Sequence, residues 1–81
     1  MKRYEIRLSL AENVKTFVNL TCKYHFDMDL HAGRHVVDAK SILGIFSLDL
    51  SKPIFLEVDD TGADPAELDA LLKDIKPFLV D

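Results

Sequence analysis

The chain has 81 residues, 48% of them hydrophobic, and a formal net charge of −4. That size and apolar content suit one domain, residues 1–81, whose core needs no metal or disulfide support. The negative balance, with lysines and arginines scattered along the chain, removes any general attraction to nucleic acid or anionic membrane. Cys22 is the only cysteine, which excludes an internal disulfide, fits a reducing compartment and reads as a small buried apolar side chain. Met1-Lys2-Arg3 leads into alternation, not an apolar run, so neither a signal peptide nor a membrane span is expected and cytoplasm is the default location.

From Tyr4 to Leu8 apolar and polar residues alternate, predicting a strand with Tyr4, Ile6 and Leu8 inward and Glu5 and Arg7 wet. Ser9-Leu10-Ala11-Glu12 has the form of a capping box, in which the serine serves the Glu12 N–H and the glutamate reaches back. A helix is expected from there to about Tyr24, with Leu10, Val14, Phe17, Val18 and Thr21 forming its buried stripe. Phe26, Met28 and Leu30 alternate with Asp27, Asp29 and His31 as a second strand. Ala32-Gly33-Arg34 makes the turn, the glycine supplying a positive φ. A third strand runs from His35 to Ala39 with Val37 and Ala39 inward.

Ser41 is placed to cap a short helix over Ser41–Leu48, its hydroxyl accepting from the N–H of Leu43 or Gly44. Ile42, Leu43, Ile45, Phe46, Leu48 and Leu50 are more apolar residues than one face of so short a helix can bury. Part of that surface is therefore expected to face outward as a docking patch, unless core covers both sides. Asp49–Pro53 is a turn, and Ile54–Val58 a fourth strand with Ile54, Leu56 and Val58 inward. Asp64-Pro65-Ala66-Glu67 opens a last helix, with an acidic N-cap and proline at the first helical position. Leu68, Leu71, Leu72 and Ile75 give its buried face, and Pro77 ends it near Ile75 or Lys76, with Phe78 and Leu79 folding back.

The order β-α-β-β-α-β-α, with one apolar face per element, predicts an α+β open-faced sandwich: a four-stranded antiparallel sheet with the helices on one face. Other chemistry is sparse. His31 and His35 flank the hairpin turn near Asp29, but two histidines without a convincing third ligand do not make a metal site. Asp59 and Asp60 read as a solvated strand end. No glycine-rich phosphate loop or nucleophile elbow is present, and no cofactor is implied.

With that order, Lys40-Ser41-Ile42, Gly44 and Ser47-Leu48 resemble the short helix of HPr, the histidine-containing phosphocarrier family of the bacterial sugar phosphotransferase system, the Gram-positive forms most of all. Phe17-Val18 matches the first helix, Gly62 and Asp64 match the turn before the last, and the spacing from Phe17 onward needs no gap. In that family the phosphoryl group rides on a histidine at the start of the first helix, stabilised by helix N–H groups and an arginine. Here the histidine position falls near Leu10 and the arginine position on Glu12, and the loop that carries them is missing. Histidine phosphotransfer is not carried over, and no catalytic residue is assigned.

Ser41 does match. The resemblance implies that it is a phosphosite for a dedicated serine kinase, and that Ile42, Leu43 and Phe46 form the patch met by that kinase, transcriptional regulators or other proteins. The other reading of Ser41 is an N-cap alone. The family includes a catabolite-repression homologue that lacks the carrier histidine and keeps the serine. The implied function is thus a regulatory or protein-binding module, not an enzyme. The alternatives are a phosphocarrier using a non-standard histidine, His25 foremost, and a small-molecule site on the open sheet face, which the polar Glu5, Arg7, Asp27 and Asp29 disfavour.

Overall fold

The computed structural model describes residues 2–80; Met1 and Asp81, the ends of the expected domain, lie outside the described residues. In chain order the elements are β1 (Lys2–Ile6), α1 (Ala11–Thr21), β2 (Met28–Ala32), β3 (His35–Asp38), α2 (Ile42–Phe46), β4 (Ile54–Val58) and α3 (Pro65–Ile75), followed by a 3₁₀ turn (Lys76–Phe78). The strands form one sheet in the order β1-β4-β2-β3, every pair antiparallel. This is the open-faced α+β sandwich that the alternation predicts.

The register shows how the period of two sorts the faces. Tyr4, Leu56, Leu30 and Val37 form one row across the sheet, and Arg3, Glu57, Asp29 and Asp38 the next. The first row faces the helices, where Val14 and Phe17 of α1, Ile45 of α2 and Leu71 and Ile75 of α3 complete the core. The second row is on the open face. α1 lies between α2 and α3, touching both.

Several boundaries differ from the sequence expectation, each for a tertiary reason. β1 stops at Ile6 because its partner does: Ile6 pairs with Ile54, and the preceding Pro53 has no N–H to continue the ladder. Leu8 is nevertheless fully buried. The C-terminal tail takes over the pairing, with Arg7 N–H donating to the Phe78 carbonyl at 2.8 Å and Val80 N–H to the Glu5 carbonyl at 3.0 Å.

The capping box at Ser9 does not form. Leu10 is the N-cap of α1, in extended conformation and with no side-chain hydrogen bond to the helix. Burial of Leu8 leads the chain outward through Ser9 and Leu10, and Leu10 is 62% exposed instead of joining the buried stripe.

α1 ends at Thr21, short of Tyr24. Thr21 is the buried residue there, its hydroxyl 3.0 Å from the Val18 carbonyl and 3.1 Å from that of Ala39. Cys22, one helical step further round, is exposed and not a core residue. β2 begins at Met28, after Phe26 has turned its ring onto Tyr24 at 5.5 Å. At the hairpin, Gly33 has φ +61°, and Ala32 pairs with His35 across Gly33-Arg34. At α3, the Asp64 carboxylate accepts from Ala66 N–H at 2.9 Å. Pro77 tightens the helix end into the 3₁₀ turn, and this seats Phe78 edge-on against Phe17 at 5.7 Å.

Candidate functional site

α2 is reached through a tight connection from β3. Lys40 N–H donates to the Asp38 carboxylate at 2.8 Å and Ser41 N–H to the Asp38 carbonyl at 3.0 Å. The Lys40 ammonium donates to the Tyr24 carbonyl at 2.7 Å, tying this corner to the segment that leaves α1. Ser41 is therefore held in extended conformation at the N-cap, and its Oγ accepts from Gly44 N–H at 3.1 Å. Gly44 leaves room for this packing: a Cβ there would lie 3.2 Å from the Ser41 Oγ and 3.3 Å from the Val37 Cβ, so those neighbours would have to give by a few tenths of an ångström. At the other end the Ser47 hydroxyl donates to the Gly44 carbonyl at 2.5 Å.

Only one residue of this helix is fully buried, Ile45. Ile42 is half-buried against the core. Leu43 is 80% exposed and Phe46 45%. The apolar surface beside Ser41 thus consists of Leu43 and the outer part of Phe46, with the free edge of Ile42. In the loop that follows, Asp49 accepts from the Ser51 hydroxyl and N–H, which hold its carboxyl below the usual carboxylate range.

The start of α1 has a different character. Its first turn carries Glu12 and its N-cap is Leu10, so an exposed aliphatic side chain and a carboxylate stand at this helix start. An open groove of about 680 Å³ lies alongside, its polar lining including Arg7, Ser9 and Asn13.

The three histidines are dispersed. His25 is exposed on the rim of a shallow groove that it shares with Asp64 and Glu67, carboxylates that would repel a phosphoryl group. His31 lies on the open face, its Nε2 2.5 Å from Glu57 Oε2, an oxygen also 3.7 Å from the Arg3 guanidinium. His35 pairs with Ala32 of the helix-facing set, whereas His31 pairs with Val36. The two histidines flanking the turn therefore point to opposite faces and cannot share a ligand. Among the described residues no group of three or more metal-capable side chains occurs, and no helix is long and apolar enough to cross a membrane.

The Asp59 carboxylate accepts from Thr61 N–H at 3.1 Å, so it shapes the turn after β4. On the open face Arg3 lies 4.4 Å over the Phe55 ring. Val36, 55% exposed on β3, is the surface residue for which the sequence signal is subtlest: if Val37 faces the core, alternation alone turns Val36 out.

No family model matches the chain, and no curated protein does. Solved structures do. The chain is similar to HPr-C-His from Thermoanaerobacter tengcongensis, with TM-score 0.70 and 27% identity over 94% of this chain and 92% of that one. It is also similar to the phosphocarrier protein HPr from Bacillus anthracis, with TM-score 0.61 and 28% identity over 91% of this chain and 93% of that one.

Proposed function

We propose that this chain, similar over most of its length to HPr phosphocarrier proteins, is an HPr-like protein that acts as a non-catalytic regulatory, protein-binding module related to the sugar phosphotransferase system. Its control point is phosphorylation of Ser41, and its contact surface is Ile42, Leu43 and Phe46. The observation that carries this reading is the juxtaposition at α2: a serine hydroxyl at the N-cap with Leu43, 80% exposed, two residues further on.

Phosphorylation there would add about −1.5 to −2 charges beside an apolar patch. A partner meeting Leu43 and Phe46 would then also meet a dianion, so the modification acts as a selector between partners with and without a basic group at that spot. The Gly44 N–H that now serves Oγ can serve a phosphoryl oxygen, so the cap need not be lost. Leu10 and Glu12 at the start of α1 support this reading over a histidine carrier, because leucine offers no nucleophile and the Glu12 carboxylate would repel a phosphoryl group held beside it. The partner is a protein, a serine kinase or a transcriptional regulator by class, met in the cytoplasm by one domain spanning residues 1–81.

The test uses two donors separately: the phosphoenolpyruvate-dependent enzyme of the phosphotransferase system, and the ATP-dependent serine kinase of the family. Intact mass is read before and after acid treatment. Acid-stable phosphate that disappears in Ser41→Ala is the expected result. Acid-labile phosphate would restore the histidine carrier, with His25→Ala the variant that locates it. No phosphate from either donor would remove Ser41 control while leaving the fold.

A further inference from the structure

Among the described residues β3 pairs with β2 alone, so its outer side is an edge of the sheet. The hydrogen bond from Ala39 N–H to the Met28 carbonyl, 3.0 Å, sets the phase of that edge. Main-chain groups of His35, Val37 and Ala39 face β2, and those of Val36 and Asp38 turn outward. Ser41 N–H already occupies the Asp38 carbonyl, which leaves Val36 at the centre of the unpaired stretch. Such an edge is a template for another strand.

The residues on it describe the strand it would accept. Val36 and Asp38 share the open face by alternation, and Arg34 lies in the turn just before β3, two residues from Val36. All three are exposed. The order Arg34, Val36, Asp38 is its own complement when reversed: basic meets acidic at both ends and valine meets valine in the middle.

We propose that this edge pairs antiparallel with the same edge of a second copy, about a two-fold axis at Val36, giving a weak isologous dimer with one continuous sheet. Each Val36 N–H donates to the Val36 carbonyl of the other copy, and the two valine side chains meet on the open face. Each Arg34 guanidinium meets the Asp38 carboxylate of the other copy, a favourable cross-strand pairing. The charges that on other edge strands repel a second strand are here arranged to accept one. The contact is small beside the roughly 1,200–2,000 Å² of stable interfaces, so the dimer forms at high concentration and is not obligate. It uses neither Ser41 nor Leu43 and does not depend on the control proposed for them.

The test is analytical ultracentrifugation of the full chain from about 10 μM to about 1 mM, the weak end of specific association, with amide shifts followed over the same range. The weight-average mass is expected to rise toward twice the protomer, with shifts centred on Val36 and Asp38, and Val36→Lys to abolish the rise. Arg34→Asp and Asp38→Arg singly should each weaken association by about tenfold or more, since each sets like charges opposite one another twice. The double swap R34D/D38R should recover most of the loss. Arg34→Asp sits in an exposed turn, so its effect is separable from folding, and circular dichroism confirms each variant is native. A monomer across the whole range, shifts centred away from β3, or a double swap as weak as the single ones would overturn the proposal.

Discussion

The Tyr24 hydroxyl donates to the Asp74 carboxylate across 2.6 Å, joining the exit of α1 to the last turn of α3. Lys23 adds its ammonium to the same carboxylate oxygen at 3.2 Å. Burial, then the Asp74 hydrogen bond, push the Tyr24 phenol from 10.0 up to about 12. The Tyr24 hydrogen bond, then that of Lys23, hold Asp74 below the usual carboxylate range.

The two groups make stability depend on pH at opposite ends. Tyr24 is raised in the folded state, so its contribution is full below pH 10 and is lost as pH rises toward about 12. Asp74 is lowered, so its contribution is full above the ordinary carboxylate value of 3.8 and is lost as pH falls below it. Tyr24→Phe should cost about 1 kcal/mol at neutral pH and flatten both flanks of the curve, measured by urea unfolding across the pH range. Flanks unchanged in the variant would show that the contact does not survive in solution.

At the start of α1, an exposed leucine occupies a position that favours a side-chain acceptor. Leu10→Asp should stabilise the protein by about 0.5–1.5 kcal/mol, read as a higher urea midpoint at constant slope. Ser9→Ala should change it by less than about 0.5 kcal/mol, because Ser9 caps nothing. A large loss in Ser9→Ala would restore the capping box.

Burial separates two neighbours on α3. Leu71 is 1% exposed, whereas Leu72 is half-buried at the edge of the core. Leu71→Ala should cost about 2–5 kcal/mol and Leu72→Ala clearly less. Equal losses would mean that α3 is rotated about its axis from the orientation described.

On α2 the same variants separate stability from binding. Ser41→Ala should lose about 1 kcal/mol, a capping hydrogen bond, and Ser41→Asn should keep it. Phe46→Ala, at a position 45% exposed, should cost less than Leu71→Ala while weakening capture of a protein partner. Global unfolding of Phe46→Ala would make the ring a core element and remove it from the patch.

How much of this was legible in the sequence depends on the range of the interaction. The Ser41 cap was readable because donor and acceptor lie three residues apart. The exposure of part of α2 was readable because a five-residue helix cannot bury so many apolar side chains. Which of them stay outside was not: that depends on Ile45 docking into a core formed by distant elements. His31 and His35 look like neighbours in the chain, yet the pleat sends them to opposite faces, and only the hairpin register reveals it.

Amphipathic periods, the Asp64-Pro65 start and the Gly33 turn determined the elements, their order and the sandwich, because each is a local preference reinforced by burial of one face. Tertiary structure alone decided where β1 ends, since the strand that stops beside it at Ile54 is brought there from a distant part of the chain. It also decided that Cys22, unlike Thr21, stays out of the core, and that Tyr24 reaches Asp74 across fifty residues. Such contacts have no periodic signature: they depend on where the packed sheet and helices bring distant chain segments together.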